Sequence, residues 1–185
     1  MKRIFIAIKV EPDGNLQNIY SDVKYLLGNE KIGWVDHSNI HLTLAFLGDI
    51  NDDMIRAAGI VLNDKCSGFG EFNFSLKGIG VFKSLRDPRI IWAGIDHSEV
   101  LMELNKFIIS GLRNKGFSIE ERPFKPHITL GRIKFLKDPD ALISAVTKYQ
   151  DTFIKGVNVT EVILFESVLK PTGPEYKPIG EYKLS

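Results

Sequence analysis

A single cysteine in 185 residues leaves no room for an intramolecular disulfide framework. The fold must therefore rest on its core alone, and Cys66 suits a reducing compartment. Long apolar runs are missing too, since none approaches the roughly 18 residues that a membrane-spanning helix requires. The opening MKRIFIAIKVEPD joins basic residues to an apolar stretch, but residues 4–8 are too short for a signal-peptide core and Lys9 and Glu11 close it. A cytoplasmic protein with no membrane partner is expected. An excess of one charge is also lacking. A formal net charge of +1 argues against a protein that coats long nucleic acid by neutralising many phosphates, yet permits binding of one phosphate or one strand end. The local basic groups Lys83, Arg86 and Arg89, and Lys125, Arg132, Lys134 and Lys137, read first as solvated surface. Gly78-Ile79-Gly80 lacks the third glycine and the following helix of a dinucleotide fingerprint.

What is present is ordinary globular material, with 44% hydrophobic and 25% charged residues. This is enough to bury one core, so residues 1–185 are expected to form a single domain. Ile4, Ile6 and Ile8 alternate in a half-buried strand over residues 2–9. Pro12 suits the first turn of a helix continued by Leu16, Ile19, Val23, Leu26 and Leu27, with Gly28 as its stop. Strands follow over 32–35 and 40–47, then a helix capped by Asn51 or Asp52 and running to about residue 63. Further strands are expected at 72–82 and 89–95, and a helix capped by Ser98 with Gly116 beyond its end. A strand over 124–135, a helix opened by Asp138-Pro139, one strand over 157–169 and a closing strand over 176–184 complete the series. Helices and strands mix without regular βα alternation, so the fold class is α+β.

Two of the four histidines share one local pattern. His41-Leu42-Thr43-Leu44 and His127-Ile128-Thr129-Leu130 stand 86 residues apart (127 − 41). Phe82 and Phe165 follow the two histidines at offsets of 41 (82 − 41) and 38 (165 − 127), each beside Ser two positions on. A duplicated chain with two pseudo-equivalent lobes explains that order. In a strand, alternate side chains share a face. His41, Thr43 and Ala45 would then lie opposite Leu42 and Leu44, and His127, Thr129 and Gly131 opposite Ile128, Leu130 and Arg132. The small Ala45 and Gly131 would leave room beside the His/Thr face.

Imidazole exchanges protons near neutrality, and a threonine hydroxyl donates to an anionic oxygen. Two such pairs facing across a groove could hydrolyse a phosphodiester, one His activating water, the other protonating the leaving oxygen, the threonines holding the phosphoryl group. Neither His-x-His nor His-Glu-x-x-His occurs, and no carboxylate recurs beside both histidines. No metal or other cofactor is therefore expected. His37 and His97 lie in turn-like sequence without a matching threonine and receive no role.

With these motifs the sequence resembles the 2H phosphoesterase superfamily, named for its two His-x-Thr/Ser motifs. Within it, the sequence is most similar to the RNA 2′,3′-cyclic phosphodiesterases, first described as 2′-5′ RNA ligases. The resemblance runs through RIFIAI at the start, Trp34-Val35, Asn39, HLTLAFLG, Gly78 to Phe82, PRIIWAG at 88–94, RPFKPHITLGR at 122–132 and Phe165-Glu166-Ser167. It implies a bilobal fold of two pseudo-symmetric antiparallel sheets, helices outside and a metal-free site in the central groove. It also implies opening of 2′,3′-cyclic phosphate RNA ends to 2′-phosphates, with reversible 2′-5′ ligation of tRNA halves in some members. Carried onto this chain, His41 is the general acid and His127 the general base, while Thr43 and Thr129 hold the phosphate. Arg132 matches an arginine that follows the second motif in relatives, but alternation places it opposite His127. Phe82 and Phe165 are candidates to flank the groove or stack on a base. RNA ends, tRNA halves and nucleotide 2′,3′-cyclic phosphates are the implied partners, and a monomer is expected. Two rival functions remain: a non-catalytic nucleotide- or RNA-binding module, and a 2H phosphodiesterase for 2′-5′ oligonucleotides or ADP-ribose cyclic phosphate.

Overall fold

A computed structural model describes residues 1–121, 123–171 and 173–185. Nine strands alternate with four helices in the order β1 (Lys2–Lys9), α1 (Gly14–Leu26), β2 (Lys31–Trp34), β3 (His41–Ile50), α2 (Asp52–Cys66), β4 (Phe72–Phe82), β5 (Ile90–Asp96), α3 (Glu99–Asn114), β6 (His127–Phe135), α4 (Pro139–Tyr149), β7 (Phe153–Val159), β8 (Glu161–Lys170) and β9 (Gly173–Lys183). The strands join in one sheet ordered β7-β4-β5-β6-β3-β1-β8-β9, with β2 on β6, and each recorded pair is antiparallel. The α+β class holds, and the two expected sheets are continuous. They meet where β3 and β6 touch through a single pair, Leu42 opposite Ile128.

Capping chemistry sets two helix starts as expected. Asn51 accepts a hydrogen bond from Met54 N at 2.9 Å, and Asp52 and Asp53 place negative charge in the first turn of α2. Asp138 accepts from the N–H groups of Asp140 and Ala141, ahead of Pro139. Two other starts differ. Helix α1 begins at Gly14, beyond Pro12, and neither Asp13 nor Ser98 makes a side-chain cap bond. After α3 the chain reverses at Gly116, whose φ of +85° a side chain would strain. The expected strand over 157–169 is two strands broken at Thr160, and β6 begins at His127 rather than at residue 124.

All four helices lie on one face of the sheet. Their buried side chains join Ile4, Ile6, Ile8, Leu42, Leu44, Ile79, Ile91, Ile128 and Leu130 in one apolar core. On the other face the buried apolar residues described are a small separate cluster of Phe5, Ala7, Ile163 and Phe165, with Tyr176 against it. That helix-free face is where the histidines emerge. Among the described residues no helix is long and apolar enough to cross a membrane.

Candidate active site

The antiparallel contact of Leu42 with Ile128 sets the site, because it brings the two His-x-Thr segments side by side and head to tail. In that register His41 lies towards Thr129, and Thr43 towards His127. Both imidazoles are half-buried. Each is held by its own strand entrance, since Nδ1 of His41 donates to the carbonyl of Asn39 at 2.6 Å and Nδ1 of His127 to that of Lys125 at 2.7 Å. A carbonyl only accepts, so Nδ1 carries the proton and Nε2 is the atom free to exchange one. Thr43 Oγ1 stands 3.0 Å from Nε2 of His41 and donates to it while the ring is neutral. The second pair differs, for among the described residues no bond joins Nε2 of His127 to Thr129.

Regular alternation fails just beyond both motifs, and the failure is informative. On β3, Thr43 faces Ala7 and Ala45 faces Ile6, so Leu44 is an extra residue. On β6, Thr129 faces Trp92 and Gly131 faces Ile91, so Leu130 is extra in the same way. Each bulge turns the strand by one position. Arg132 therefore does not lie opposite His127, as strict alternation predicts. Ile133 is buried in the core after Leu130, which leaves Arg132 on the His127/Thr129 face. Ala45 and Gly131 turn the other way, into the core, and do not flank the groove as expected. A side chain at Gly131 would meet Ile32 at 2.9 Å and Trp34 at 3.0 Å. The equivalent of Arg132 in the first motif is Phe46, also five residues past its histidine, on the groove face and 66% exposed.

Aromatic side chains wall both imidazoles. Phe82 meets His127 edge-on at 4.6 Å between ring centroids and lies 5.4 Å from Trp92. Trp92 fits there because Gly80 has no side chain, and any Cβ would enter the indole ring. On the other side His41 packs against Phe5 at 5.1 Å and Tyr176 at 5.2 Å. Phe165 is 6% exposed and stacks on Phe5 at 5.2 Å, so it supports the wall from behind rather than facing the groove. The two phenylalanines thus cross over: Phe82 follows the first motif but touches the second histidine, whereas Phe165 backs the first. Asn39 Nδ2 donates to the carbonyl of Pro174 at 2.8 Å, tying β9 and its Tyr176 to the same strand entrance.

Burial dominates the electrostatics. It lowers the pKa of both imidazoles below the ordinary 6.5, because a charged ring loses hydration there. The backbone carbonyls of Asn39 and Lys125 oppose that shift, and the Arg132 guanidinium adds to it at both rings. Arg132 also offsets part of the upward shift that burial gives Tyr176. These effects accord with the place of Arg132 on the His127/Thr129 face, where the β6 bulge leaves it.

His37 sits in a short 3₁₀ turn edge-on to Tyr20, and His97 lies in a turn at φ 55°, away from this constellation. Cys66 is buried, with its thiol pushed up to about 11, which leaves little reactive thiolate. Among the described residues no group of three or more His, Cys, Asp or Glu could hold a metal. Arg122, part of the family-like segment before His127, lies outside the described residues. Sequence reasoning missed Phe5, Phe46, Trp92 and Tyr176. Only Phe46 had a signal, its five-residue offset from His41, which matches that of Arg132.

Comparison with known proteins identifies the family. The family described as LigT-like phosphoesterase matches residues 6–92 and 96–176. An RNA 2′,3′-cyclic phosphodiesterase of Thermotoga maritima is 36% identical over 180 residues, covering 97% of this chain and 94% of its own. The Methanothermobacter thermautotrophicus protein of the same name is 30% identical, covering 98% of both chains. A crystal structure of Escherichia coli LigT complexed with 3′-AMP superposes with a TM-score of 0.76 at 25% identity, over 100% of this chain and 98% of that one. Paired His-x-Thr strands, the groove between them and similarity along nearly the whole chain place this protein in the LigT-like phosphoesterase family of the 2H superfamily.

Proposed function

We propose that this chain opens 2′,3′-cyclic phosphates at RNA ends, leaving 2′-phosphates, without a metal ion. The observation that carries this reading is the pair of imidazoles on adjacent strands, each with Nδ1 held by a backbone carbonyl, so that Nε2 is the nitrogen left to exchange a proton. Water attacks phosphorus while Nε2 of His127 takes its proton. The bond from phosphorus to O3′ breaks, and O3′ receives the proton from Nε2 of His41. The ring states are then exchanged, and solvent restores them. His127 suits the base because no described residue bonds its Nε2, whereas that of neutral His41 is engaged by Thr43. When His41 is charged, its Nε2 donates to Thr43 Oγ1 instead. The threonine hydroxyl is thereby released to a phosphoryl oxygen, so the acid-competent ring and the phosphate-binding hydroxyl arise together. Arg132 offsets the developing negative charge, and the hydroxyl of Thr129 donates a hydrogen bond to it. With an RNA 5′-hydroxyl in place of water, the same step would form a 2′-5′ bond, as between tRNA halves.

One chain supplies every group used, in line with a monomer, and we infer one domain of two pseudo-equivalent lobes. The matched bulges after Thr43 and Thr129 support that equivalence. The test is to incubate the protein with an oligonucleotide 2′,3′-cyclic phosphate and a chelator, and identify the product by ³¹P NMR. A 2′-phosphate is expected. Absence of turnover, a need for added divalent metal, or a 3′-phosphate product would overturn the proposal.

Phe46 offers an exposed ring beside the site, suited to a nucleobase. Phe46→Ala is expected to raise KM for a nucleoside cyclic phosphate by about tenfold, as the loss of ~1–3 kcal/mol of stacking implies. Thermal stability should barely change. An unchanged KM in steady-state kinetics would remove Phe46 from the substrate site.

A further inference from the structure

Two bulges place the groove-facing residues, and each leaves a carbonyl to be satisfied. Leu130, the extra residue on β6, has its carbonyl oxygen bonded by the N–H of Val35 at 3.0 Å, just past β2. Leu44, the extra residue on β3, has no such strand beside it. It has no counterpart in the β1 ladder, and β6 pairs with β3 only at Leu42. Its carbonyl instead accepts from Nδ2 of Asn105 at 2.8 Å, across 61 residues of sequence. Asn105 projects from α3 into the core and is 6% exposed, the one buried polar side chain among the described residues.

We propose that Asn105 is a positioning residue for the active site, holding the Leu44 bulge and through it the geometry of His41, Thr43 and Phe46. A buried asparagine on an otherwise apolar helix face costs stability unless it is hydrogen-bonded, and Asn105 meets that cost with the Leu44 carbonyl. Here that bond satisfies the carbonyl which regular pairing would otherwise claim. Without it, β3 is drawn towards unbulged pairing with β1, and a one-residue slip would turn Phe46, which stands between this bulge and a second one at Leu47, to the other face. Thr43, immediately before the bulge, would lose its alignment on Nε2 of His41. The role lies on α3, outside the groove, and touches neither substrate nor reacting atoms.

The proposal rests on the cyclic phosphodiesterase reading for its kinetic test but not for its spectroscopic one. Asn105→Leu keeps the volume and removes the donor, and Asn105→Gln keeps the amide. Asn105→Ser, with a donor too short to reach Leu44, replaces the leucine variant should that fail to fold. Leu104→Ala, at the adjacent buried position on α3, controls for lost stability. Asn105→Leu is expected to lower kcat by about 10²-fold, the scale of an ångström-sized misplacement, with KM little changed. NMR titration should show the pKa of His41 moved and that of His127 unmoved. Asn105→Gln should recover part of kcat, and Leu104→Ala should lose thermal stability while keeping kcat. Wild-type kcat in Asn105→Leu with an unmoved His41 titration, or an equal loss of kcat in Leu104→Ala, overturns the proposal. If wild type itself shows no turnover, the functional reading fails, and the His41 titration still decides the role of Asn105.

Discussion

Replacing His127 with alanine is expected to lower kcat on a nucleoside 2′,3′-cyclic phosphate by about 10²–10⁴-fold, the usual contribution of a positioned general base. His41→Ala should do the same on this substrate, because the ribose O3′ cannot leave unprotonated. The two variants should separate when the leaving group needs no proton. On a nucleotide p-nitrophenyl ester, whose phenolate departs as a stable anion, His41→Ala should recover most of the wild-type rate. His127→Ala should not. The double variant should be little worse than the more damaging single one, since residues that act as a unit do not lose activity additively. Equal losses for both variants on both substrates, measured by initial rates, would contradict the assignment of acid and base.

Arg132→Gln carries the second large effect, and it has two signatures. Loss of a charged donor from the phosphate should lower kcat/KM by about 10²–10³-fold. Loss of its charge should also move the titration of both imidazoles upward, because the guanidinium now disfavours a proton on either ring. The two limbs of the pH profile should therefore shift to higher pH together. Arg132→Lys keeps the charge but not the planar fork, so it should retain the wild-type limbs with an intermediate rate. A surface arginine unconnected to the site would show neither change.

Much of the site was visible in the sequence because its chemistry is concentrated in two short strands with a common motif. His41, Thr43, His127 and Thr129 come together as their spacing and family likeness suggest, and the β3–β6 contact is what brings both copies of the motif to one place. Helices α2 and α4 were legible from Asn51 and Asp138 because a side-chain cap is a local event. Pro12 misled, since it sits before α1 rather than in its first turn, and Ser98 stands at a helix start without bonding to it. The break at Thr160 was hidden because β-branched residues continue on both sides of it. The bulges were harder still. An extra residue leaves composition unchanged and shows only as an odd step between core positions, from Leu44 to Leu47 and from Leu130 to Ile133. That odd step, overlooked, put Arg132 on the wrong face. Tertiary contacts, such as Tyr176 on His41 between strands and Asn105 of α3 on Leu44, join residues too distant in sequence for local pattern to reveal.

The account depends most on two rings in opposite protonation states, one neutral and one charged, serving one phosphorus atom. The dependence of kcat/KM on pH, measured with chelator present, reports the titration of the free protein's acid and base. Both imidazoles titrate below 6.5 in the folded protein, so the profile should be bell-shaped, with both limbs on the acid side of that value. His127→Ala should abolish the acid limb and His41→Ala the alkaline one. A wild-type profile with a single limb, or one that keeps both limbs after either histidine is removed, would contradict it.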